Sequence, residues 1–488
     1  MFCVNVEEMK KCDVFTIEKR GVPPLVLMEN AAFEVFNFLS SRFTRSDRFI
    51  IFTGKGNNGG DGFAVARLLH TRGYDVTVCI MDATTSNDAR WNARIAKKYD
   101  IPCKPHSMCN ANAMSYTVAI DAVNGTGFTG LLESHIQTIF KRVNAHPTIT
   151  RIAIDIPSGV EADTGHCSPN TFNAHYTITF EYPKYGHFLQ PGKSFTGNLI
   201  VRPIGASGCM HKVMGEAMWF DEVRLSRPYY NVHKYSRGHV AVIGGCNEYS
   251  GAAVLASESA LYAGAGYTAV YTTAHVETRL PEIVVHSLPS FSSYVLTQKD
   301  KDGVLIIGPG MGRSDDVRNF LKKLFLEYRG LTVLLDGDAL FYFNDYYRPG
   351  IHTVLCTPHD GELTYMSGLS LEEIQKNRIE AGKKFTRDHQ CFLVMKSEST
   401  IIFSPEGEVA FSPYGDPILA TLGSGDVLAG TIAGIWASQA EISPYLAAQM
   451  SVCIQGKAAE ELVKTGRFSA TATTIQQEIR RLIEKKMI

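Results

Sequence analysis

Short apolar runs and longer segments with apolar residues at helical spacing alternate along most of the chain. A run of about four to eight apolar residues bounded by turn residues predicts a buried strand, and apolar residues three or four apart predict a helix. In the first half the strand-like runs lie at 49–53, 75–81, 116–121, 150–156 and 197–204. In the second half they lie at 239–245, 268–273, 303–312, 331–340, 352–363, 391–396 and 400–404. Helical segments such as 27–39, 63–69 and 251–266 separate the strands, so the fold class we predict is α/β, with two three-layer α/β/α domains on mainly parallel sheets.

A break in this alternation divides the chain. The pattern weakens beyond Gly186, and residues 205–235 are mixed in composition and contain Pro228. The alternation restarts at residue 239 with a new apolar run. A chain of 488 residues is long enough for two or more domains, and we predict domains at 1–215 and 216–488.

The stretch 54–62, GKGNNGGDG, has five glycines in nine residues and lies between the first predicted strand and the helical segment FAVARLL. In α/β proteins a glycine-rich turn between a strand and a helix presents backbone N–H groups to an anion at the helix N-terminus. Glycine also lets the backbone approach a ligand closely. Glycine clusters make tight turns as well, but five glycines exceed what a turn needs, so we predict that this stretch contacts a ligand.

Two interpretations of the glycine stretch remain open. It lacks the Lys-Ser/Thr of a P-loop, but it satisfies G-x-G-x-x-G, and Asp82 closes the next strand at about the spacing of a dinucleotide fold. An NAD-binding dehydrogenase is therefore one hypothesis. Asn57, Asn58 and Asp61 favour the other, a polyhydroxylated ligand or a hard cation, because an aspartate would repel a pyrophosphate.

Polar residues also follow two other strands of the first half. Asp121 ends one strand and is followed by NGTGFTG at 124–130, and Asp155 ends the next and is followed by PSG at 157–159. Ligands of parallel sheets lie beyond the carboxyl ends of the strands. A single aspartate there is often only a helix N-cap, but three such strand ends together predict a site.

The second half has its own glycine-rich strand end, TLGSGDVLAG at 421–430. Its glycines would open a helix at 426–437 whose N-terminal amides face an anion. Asp426 lies in that first turn, where a carboxylate beside a bound phosphate is costly unless it acts as a general base. The alternative is a helix-start residue stabilised by the helix dipole. His359, Glu362 and Lys396 follow other strands and would reach the same edge, with Lys396 as a phosphate contact.

The composition excludes several classes of protein. The net charge of −1 predicts no attraction to nucleic acid or to an anionic membrane surface. The 11 cysteines contain no C-x-x-C, which indicates reduced thiols and a cytoplasmic protein. The N-terminal residues have no apolar core of signal-peptide length, and no apolar run approaches the roughly 18 residues of a membrane span. The longest apolar run, at 428–437, is predicted to be a buried helix.

The two motif sets together resemble a known enzyme family. The first half resembles the NAD(P)H-hydrate epimerases, which are Rossmann-like, through Glu29-Asn30, the stretch 56–62, Asp121, residues 125–127 and residues 155–159. The second half resembles the ribokinase-like NAD(P)H-hydrate dehydratases through His233-Lys234, Gly244-Gly245, and residues 250–252, 308–312, 338–340, 357–359, 361–362 and 423–430. Their order is that of the bifunctional nicotinamide nucleotide repair enzymes.

The resemblance implies a repair chemistry. NADH and NADPH can add water across a nicotinamide double bond, which gives R and S hydrates (NADHX and NADPHX) that no longer serve as cofactors. The first domain would interconvert the two forms, and the second would dehydrate the S form with ADP and Mg²⁺, giving AMP and phosphate. We therefore expect small-molecule partners only, and a homo-oligomer. The alternative is a sugar or vitamin kinase in the second half, with a nucleotide-binding module before it.

The resemblance also implies roles for individual residues. The catalytic residues would be Asp121 and Asp426, and K⁺ would lie on Asn58, Asp121 and Ser158. The first site would bind the hydrate through Asn57, Asn58, Gly59, Gly60, Asp61, Gly125, Thr126, Gly127, Phe128, Thr129, Gly130, Leu131 and Asp155. The second would bind it through Ala252, Gly312, His359 and Asp426. The nucleotide would contact Lys396, Ser397, Glu398, Ser399, Thr400 and Gly425.

Two segments depart from the family pattern. The usual lysine-glycine-x-glycine-threonine loop is Lys-Ser-Glu-Ser-Thr at 396–400, and the usual asparagine-proline-glycine-methionine segment is Asp-Pro-Ile-Leu at 416–419. Glu398 and Asp416 add negative charge near the expected nucleotide. We therefore expect these departures to affect the affinity for ADP or the choice of nucleotide.

Overall fold

The computed structural model describes residues 1–109, 116–206, 215–227, 237–439 and 441–486. The chain forms two compact units, an N-terminal unit of Phe2–Gly215 and a C-terminal unit of Glu216–Ile488, and Met1 belongs to the second. Among the described residues, no helix has both the length and the apolar character needed to cross a membrane.

The N-terminal unit alternates strands with helices. Its strands are β1 (Phe2–Cys3), β2 (Arg48–Thr53), β3 (Asp75–Ile80), β4 (Cys103–Pro105), β5 (Val118–Ala122), β6 (Thr150–Ile154), β7 (Tyr176–Phe180) and β8 (Asn198–Arg202). Its helices are α1 (Val6–Val14), α2 (Pro24–Ser40), α3 (Asn57–Thr71), α4 (Asn87–Lys98), α5 (Ser134–Asn144) and α6 (Gly192–Thr196). A π-helical turn at Phe15–Lys19 continues α1.

In the described part of this unit, seven parallel strands form a sheet in the order β4-β3-β2-β5-β6-β7-β8. Successive side chains of β2 point to opposite faces. Phe49 and Ile51 join a core with α2 and α3, whereas Ile50 and Phe52 join a core with α5. The strand order reverses between β2 and β5, and ligands of open α/β sheets bind beyond such a switch point.

The C-terminal unit repeats this arrangement with more elements. Its strands are β9 (Gly215–Ala217), β10 (His239–Ile243), β11 (Tyr267–Thr272), β12 (Val284–Ser287), β13 (Val304–Ile307), β14 (Thr332–Leu335), β15 (Thr353–Cys356), β16 (Phe392–Met395), β17 (Ile401–Phe403) and β18 (Val409–Phe411). Its helices are α7 (Ser250–Tyr262), α8 (Gln298–Lys301), α9 (Asp315–Glu327), α10 (Asp338–Phe341), α11 (Phe343–Tyr346), α12 (Asp360–Ser367), α13 (Leu371–Lys376), α14 (Arg378–His389), α15 (Ser424–Ser438), α16 (Pro444–Lys464) and α17 (Ala472–Lys486).

The sheet of the C-terminal unit runs in the order β18-β17-β16-β15-β14-β13-β10-β11-β12. The strands from β16 to β12 are parallel, and the hairpin β17–β18 is antiparallel to β16. The switch point lies between β10 and β13. Helix α15 packs so closely on α7 that two positions of α15 have no room for a side chain. A Cβ at Gly430 would lie 2.1 Å, and one at Gly434 2.4 Å, from a carbonyl oxygen of α7. This contact fixes the start of α15 at the carboxyl edge of the sheet.

The structure confirms the predicted α/β class with parallel sheets, but the sequence pattern missed β7. Thr177 and Thr179 interrupt its apolar run, yet both are fully buried. Their hydroxyl groups donate hydrogen bonds, Thr177 to the Thr196 carbonyl at 2.6 Å and Thr179 to Asp155 Oδ1 at 3.1 Å. Internal partners therefore make these polar residues compatible with a buried strand.

Candidate active sites

The glycine-rich stretch is more helical than its sequence suggested. Helix α3 begins at Asn57 with Gly56 as its N-cap, so only residues 54–56 form the turn after β2. A Cβ at Gly54 would lie 2.0 Å from the Val123 carbonyl oxygen, and one at Gly59 would lie 2.1 Å from the Gly54 carbonyl oxygen. A Cβ at Gly56 would meet nothing within 4 Å. Close packing against backbone thus explains why residues 54 and 59 are glycines. It does not explain Gly56, which faces open space.

Asp121 lies at the centre of the first candidate site. It is fully buried at the end of β5. Its Oδ1 accepts hydrogen bonds from Ser158 Oγ at 2.6 Å and Val123 N at 3.1 Å, and Oδ2 accepts one from Ser158 N at 2.7 Å. Burial raises the pKa of Asp121 to about 6, against the opposing effect of the Ser158 hydrogen bonds.

The amide of Asn58 lies beside this carboxylate network. Its Nδ2 donates to the Asn124 carbonyl at 2.8 Å, and Ser158 Oγ accepts from Asn124 N at 2.7 Å. Asn58 Oδ1 is buried and has no hydrogen-bond partner among the described residues. A Cβ at Gly125 would lie 3.4 Å from Asn58 Cβ and 3.7 Å from Asp155 Oδ2. The three strand ends that the sequence singled out therefore meet at one place.

Asp155 carries an ion pair that the sequence analysis missed. Lys184, only 1% exposed, donates from Nζ to Asp155 Oδ1 at 2.5 Å, and Asp155 itself has a left-handed φ of 67°. Burial opposes ionisation of Asp155, but the charge of Lys184 and its hydrogen bond outweigh it and lower the pKa. Lys184 follows β7 shortly along the chain, and this position would have marked it as a candidate. The sequence pattern did not predict β7, so Lys184 was not selected either.

Two further carboxylates lie near Asp155. Burial raises the pKa of Asp61 well above its usual value, and the charges of Asp155 and Asp13 add to this effect. Burial likewise raises the pKa of Asp13 to about 6. Asp13, near the end of α1, had no sequence signal, because nothing in the N-terminal helical pattern distinguishes it from a surface aspartate.

Residues 126–131 form an outer loop of this site. Phe128 N donates to the Gly125 carbonyl at 3.2 Å, and Gly130 N donates to Glu161 Oε1 at 2.9 Å. The side chain of Leu131 is 72% exposed. Thr126, Gly127 and Thr129 therefore lie on a turned loop, and their predicted contact with substrate stays a prediction.

The second candidate site is built on the start of α15. Gly423 is the N-cap with φ of 90°, and a Cβ there would lie 2.6 Å from Leu255 Cδ1. Asp426 lies in the first turn, and a Cβ at Gly425 would lie 3.3 Å from Lys396 Nζ. Burial raises the pKa of Asp426 to about 7, and the negative charge of Asp336 adds to the effect while Lys396 opposes it.

Lys396 is held by a carboxylate that the sequence analysis did not select. Its Nζ donates to Asp336 Oδ1 at 2.7 Å, and Thr357 Oγ1 donates to the same oxygen at 2.6 Å. Burial lowers the pKa of Lys396, but Asp336 and Glu362 outweigh it and raise the pKa. Burial also raises the pKa of Glu362. The signal for Asp336 was available, because it directly follows a buried strand.

Ala252, Gly312 and His359 lie on three elements at this edge. A Cβ at Gly310, before Gly312, would lie 3.1 Å from Ala252 Cβ, and Gly312 N donates to Asp338 Oδ2 at 2.8 Å. His359 is the N-cap of α12, and its Nδ1 accepts from Glu362 N at 3.1 Å. The imidazole thus has a structural role, and its side chain remains 60% exposed for the predicted contact.

The segment 396–400 is ordered by its own hydrogen bonds. Ser399 N donates to Ser397 Oγ at 3.0 Å, Thr400 Oγ1 donates to the Ser397 carbonyl at 3.1 Å, and Arg378 donates to the Ser399 carbonyl at 2.7 Å. Glu398 is exposed at the turn. In the other departing segment, Asp416 caps a short turn by accepting from Ile418 N at 2.9 Å. His233-Lys234 lies outside the described residues.

Comparisons with known proteins match the two halves of the chain to two families. A family described as YjeF-related protein N-terminus matches residues 24–186, and one described as NAD(P)H-hydrate dehydratase matches residues 240–481. The chain is 34% identical over 497 residues to a bifunctional NAD(P)H-hydrate repair enzyme Nnr of Moorella thermoacetica, covering 95% of this chain and 93% of that protein. The Nnr of Escherichia coli is 29% identical over 483 residues, covering 96% and 91%.

The solved structures include a ribokinase-like superfamily protein of Enterococcus faecalis. It is 28% identical to this chain, with a TM-score of 0.50, and the match covers 57% of this chain and 98% of that one.

The fold and the sites define a two-site enzyme in which a Rossmann-like unit precedes a ribokinase-like unit. The chain belongs to the bifunctional NAD(P)H-hydrate repair enzymes, which combine an epimerase and a dehydratase. The comparisons support the repair hypothesis and not the kinase alternative.

Proposed function

We propose that domain 1–215 interconverts the R and S hydrates of NADH and NADPH, and that domain 216–488 dehydrates the S form at the expense of ADP. The observation that carries the epimerase proposal is the buried Asn58 Oδ1 without a partner, beside the Asp121–Ser158 network. A buried oxygen without a donor is costly unless a cation or ligand occupies it.

The donor set at this position fits K⁺. Asn58 Oδ1, the Asp121 carboxylate and Ser158 Oγ are all oxygen donors, which hard cations prefer. Asp121 Oδ2 accepts one hydrogen bond from the described protein, so it keeps a lone pair for an ion. Bound K⁺ would supply positive charge beside the carboxylate and hold the hydroxyl and phosphate oxygens of the substrate.

The side chains of the first site have distinct roles in this proposal. Inversion of the carbon that carries the hydroxyl requires a bond at that carbon to break and re-form, with a proton moving on and off oxygen. Asp121 would hold that proton. Asp155, fixed by Lys184, and the amides of Asn57 and Asn58 would orient the hydrate, with Gly59, Gly60 and the 125–131 loop enclosing it.

The second site supports a phosphoryl transfer followed by an elimination. Asp426 would take the proton of the substrate hydroxyl as its oxygen bonds to the β-phosphorus of ADP, which releases AMP. The C–O bond then breaks with phosphate as the leaving group. The neighbouring carbon gives its proton to water, and the electron pair of that C–H bond re-forms the nicotinamide double bond. Phosphate leaves more readily than hydroxide, which explains a dehydratase on a kinase-like fold.

The nucleotide would lie along residues 396–400 and Gly425. The N–H groups at 423–425 and the Lys396 ammonium would stabilise the transferred phosphoryl group. Mg²⁺ would arrive with the phosphates of ADP as part of the substrate complex.

The overall proposal is tested by incubating mixed R and S NADPH hydrate with ADP and following absorbance at 340 nm. We expect both epimers to be consumed and one phosphate to be released for each NADPH formed. Consumption of the S form alone would contradict the epimerase assignment. Release of a stable phosphorylated product would favour the kinase alternative.

The K⁺ site is tested by a readout other than activity. We expect KCl to raise the melting temperature of the wild type more than choline chloride does at equal ionic strength, because a ligand bound only by the native state stabilises it. Asn58→Ala should abolish the K⁺-specific increment. Asn92→Ala, at a second buried asparagine of the same unit, should lower stability but keep the increment. An unchanged increment in Asn58→Ala would contradict the assignment.

We also propose that the enzyme is a cytoplasmic homo-oligomer. None of the described cysteines forms a disulfide, which supports a reducing compartment. Light scattering at several concentrations would test the oligomeric state, and a mass equal to one chain would contradict it.

A further inference from the structure

The C-terminal unit carries an exposed arginine–aromatic cluster that the repair reaction described above does not use. We name Arg313, Phe341 and Tyr365 the aromatic platform. The Arg313 guanidinium carbon lies 4.5 Å from the centre of the Phe341 ring and 6.0 Å from that of Tyr365. The two rings are 5.2 Å apart at 63°. Phe341 is 39% exposed and Tyr365 53% exposed, so the cluster faces solvent although large aromatic groups favour burial.

The platform is attached to the second site through Asp338. One oxygen of Asp338 accepts from Gly312 N at 2.8 Å, and the other accepts from Arg313 Nε at 3.3 Å. Asp338 and Phe341 belong to α10, which follows β14, and Tyr365 belongs to α12, which follows β15. All three groups thus lie at the carboxyl edge of the sheet that carries Asp426. In agreement with this proximity, the charge of Asp338 contributes to the raised pKa of Asp426.

The ligand of this enzyme contains a group that matches such a surface. A dinucleotide hydrate has an adenine base, joined through two phosphates to the nicotinamide half that reacts. Aromatic side chains stack on bases, and arginine binds phosphate oxygens through its planar amino groups. Within the described part of the chain, Arg313 donates a hydrogen bond to protein through Nε, to Asp338, and not through its terminal amino groups. Its terminal amino groups are thus available to a phosphate.

We propose that the aromatic platform binds the adenylyl half of the dinucleotide hydrate, with the base stacked on Tyr365 and a phosphate on Arg313. This inference rests on the proposed dehydratase function and adds a specificity site to it.

ADP also contains adenine, but the positions of the elements favour the hydrate. Residues 396–400, which are assigned to the nucleotide together with Gly425 of α15, follow β16 and precede β17. The platform instead follows β13, β14 and β15. The platform adjoins Gly312, which is assigned to the hydrate, through one hydrogen-bonded carboxylate. Two different nucleotides in one site need separate base subsites, and the platform lies on the hydrate side.

The test compares two substrates that differ only in the adenylyl half, NADH hydrate and the hydrate of reduced nicotinamide mononucleotide. We expect Tyr365→Ala to lower kcat/KM for NADH hydrate about 10-fold, as loss of a stacking partner does, and to leave the mononucleotide hydrate within about 2-fold. The KM for ADP should stay unchanged. Phe468→Ala, at a fully exposed aromatic residue on another loop, is the matched control and should change neither substrate.

The outcomes separate this inference from the proposed function. If Tyr365→Ala lowers kcat/KM equally for the two hydrates, or does not lower it for NADH hydrate, the assignment of the platform to the adenylyl half is overturned. A raised KM for ADP would assign the platform to the nucleotide instead. If the wild type dehydrates neither hydrate, the proposed function fails, and the platform is then judged by calorimetric binding of NADH. Wild type should bind NADH about 10-fold more tightly than Tyr365→Ala or Arg313→Gln, and equal affinities would overturn it.

Discussion

Replacing Asp426 by asparagine keeps the shape of the side chain and removes its charge and its capacity to accept a proton. Burial and the carboxylates of Asp336 and Glu362 raise the pKa of Asp426 from 3.8 to about 7. This rise in pKa means that the ionised carboxylate lowers the stability of the native protein by at most about 4 kcal/mol. Asp426 is only partly buried and lies among several other charges, which weakens the effect. We therefore expect Asp426→Asn to be more stable than wild type by on the order of 2 kcal/mol at high pH.

The sign of the effect follows from the direction of the shift. A folded-state pKa above the unfolded value means that the native protein prefers the protonated carboxyl. The stability that this group contributes is full below pH 3.8, falls as the pH rises, and is lost above about pH 7. Asparagine does not titrate, so Asp426→Asn should be more stable than wild type above pH 7 and similar to it near pH 4.

Activity should change in the opposite sense. A general base acts only when ionised, so wild-type dehydration should rise with pH and level off above about pH 7. Asp426→Asn should lower kcat for dehydration by about 10²–10⁴-fold. Epimerisation should not change, because that site lies in the other unit.

Three measurements check this reasoning. Dehydration is followed at 340 nm with S hydrate and ADP, the epimer ratio is followed by chromatography, and stability is measured by thermal unfolding at pH 5 and pH 8.5. Dehydration retained within about 10-fold of wild type would refute the role of Asp426 as base. If Asp426→Asn is less stable than wild type at pH 8.5, the ionised Asp426 does not destabilise the native protein, and the argument from its raised pKa is refuted.

Three further predictions concern other contacts. Lys184→Met should destabilise the protein by about 3 kcal/mol in urea unfolding, since it leaves a buried carboxylate unpaired, and adding Asp155→Asn should restore part of the loss; no recovery would contradict the pairing. Gly62→Ala should lower the free energy of unfolding by about 1–3 kcal/mol, because its Cβ would lie 2.7 Å from that of Ala122. Gly56→Ala, at the N-cap of α3 where a Cβ meets nothing, should cost less than about 1 kcal/mol and raise the KM for the hydrate. Asp336→Asn should raise the KM for ADP and shift the pH midpoint of dehydration downward, because one negative neighbour of the base is lost; an upward shift would refute this.

The sequence was informative where a single physical rule decides the structure. Parallel strands end at a common edge, so the aspartates at positions 121 and 155 and the glycine stretch were expected to meet, and their atoms do. Gly423 before a buried apolar run likewise predicted a helix start, and α15 begins at Ser424.

Other features depend on tertiary partners that a local pattern does not show. A lysine as deeply buried as Lys184 is compatible with the fold only because Asp155, Thr179 and the Phe180 carbonyl accept its hydrogen bonds. Helix α16 was not predicted, since it buries Gln449 and Gln455 as well as apolar residues. The sequence pattern predicted a glycine-rich turn at 54–62, yet α3 begins inside this stretch at Asn57, and close packing of α3 on neighbouring backbone favours glycine there.

The two sites share an excess of carboxylates over cationic side chains. In the first, Lys184 forms an ion pair with Asp155, and among the described residues Asp13, Asp61 and Asp121 form no ion pair with a lysine or arginine. In the second, Lys396 neutralises Asp336, and Asp426 and Glu362 remain. Each site must nevertheless bind a substrate whose phosphates are negative. In the proposed mechanism a bound cation would resolve this conflict in both cases. It would be K⁺ among fixed oxygen ligands in the first site and Mg²⁺ carried by the nucleotide in the second. In this proposal each cation offsets the negative charge of its site, and Asp121, itself a proposed K⁺ ligand, and Asp426 transfer the protons.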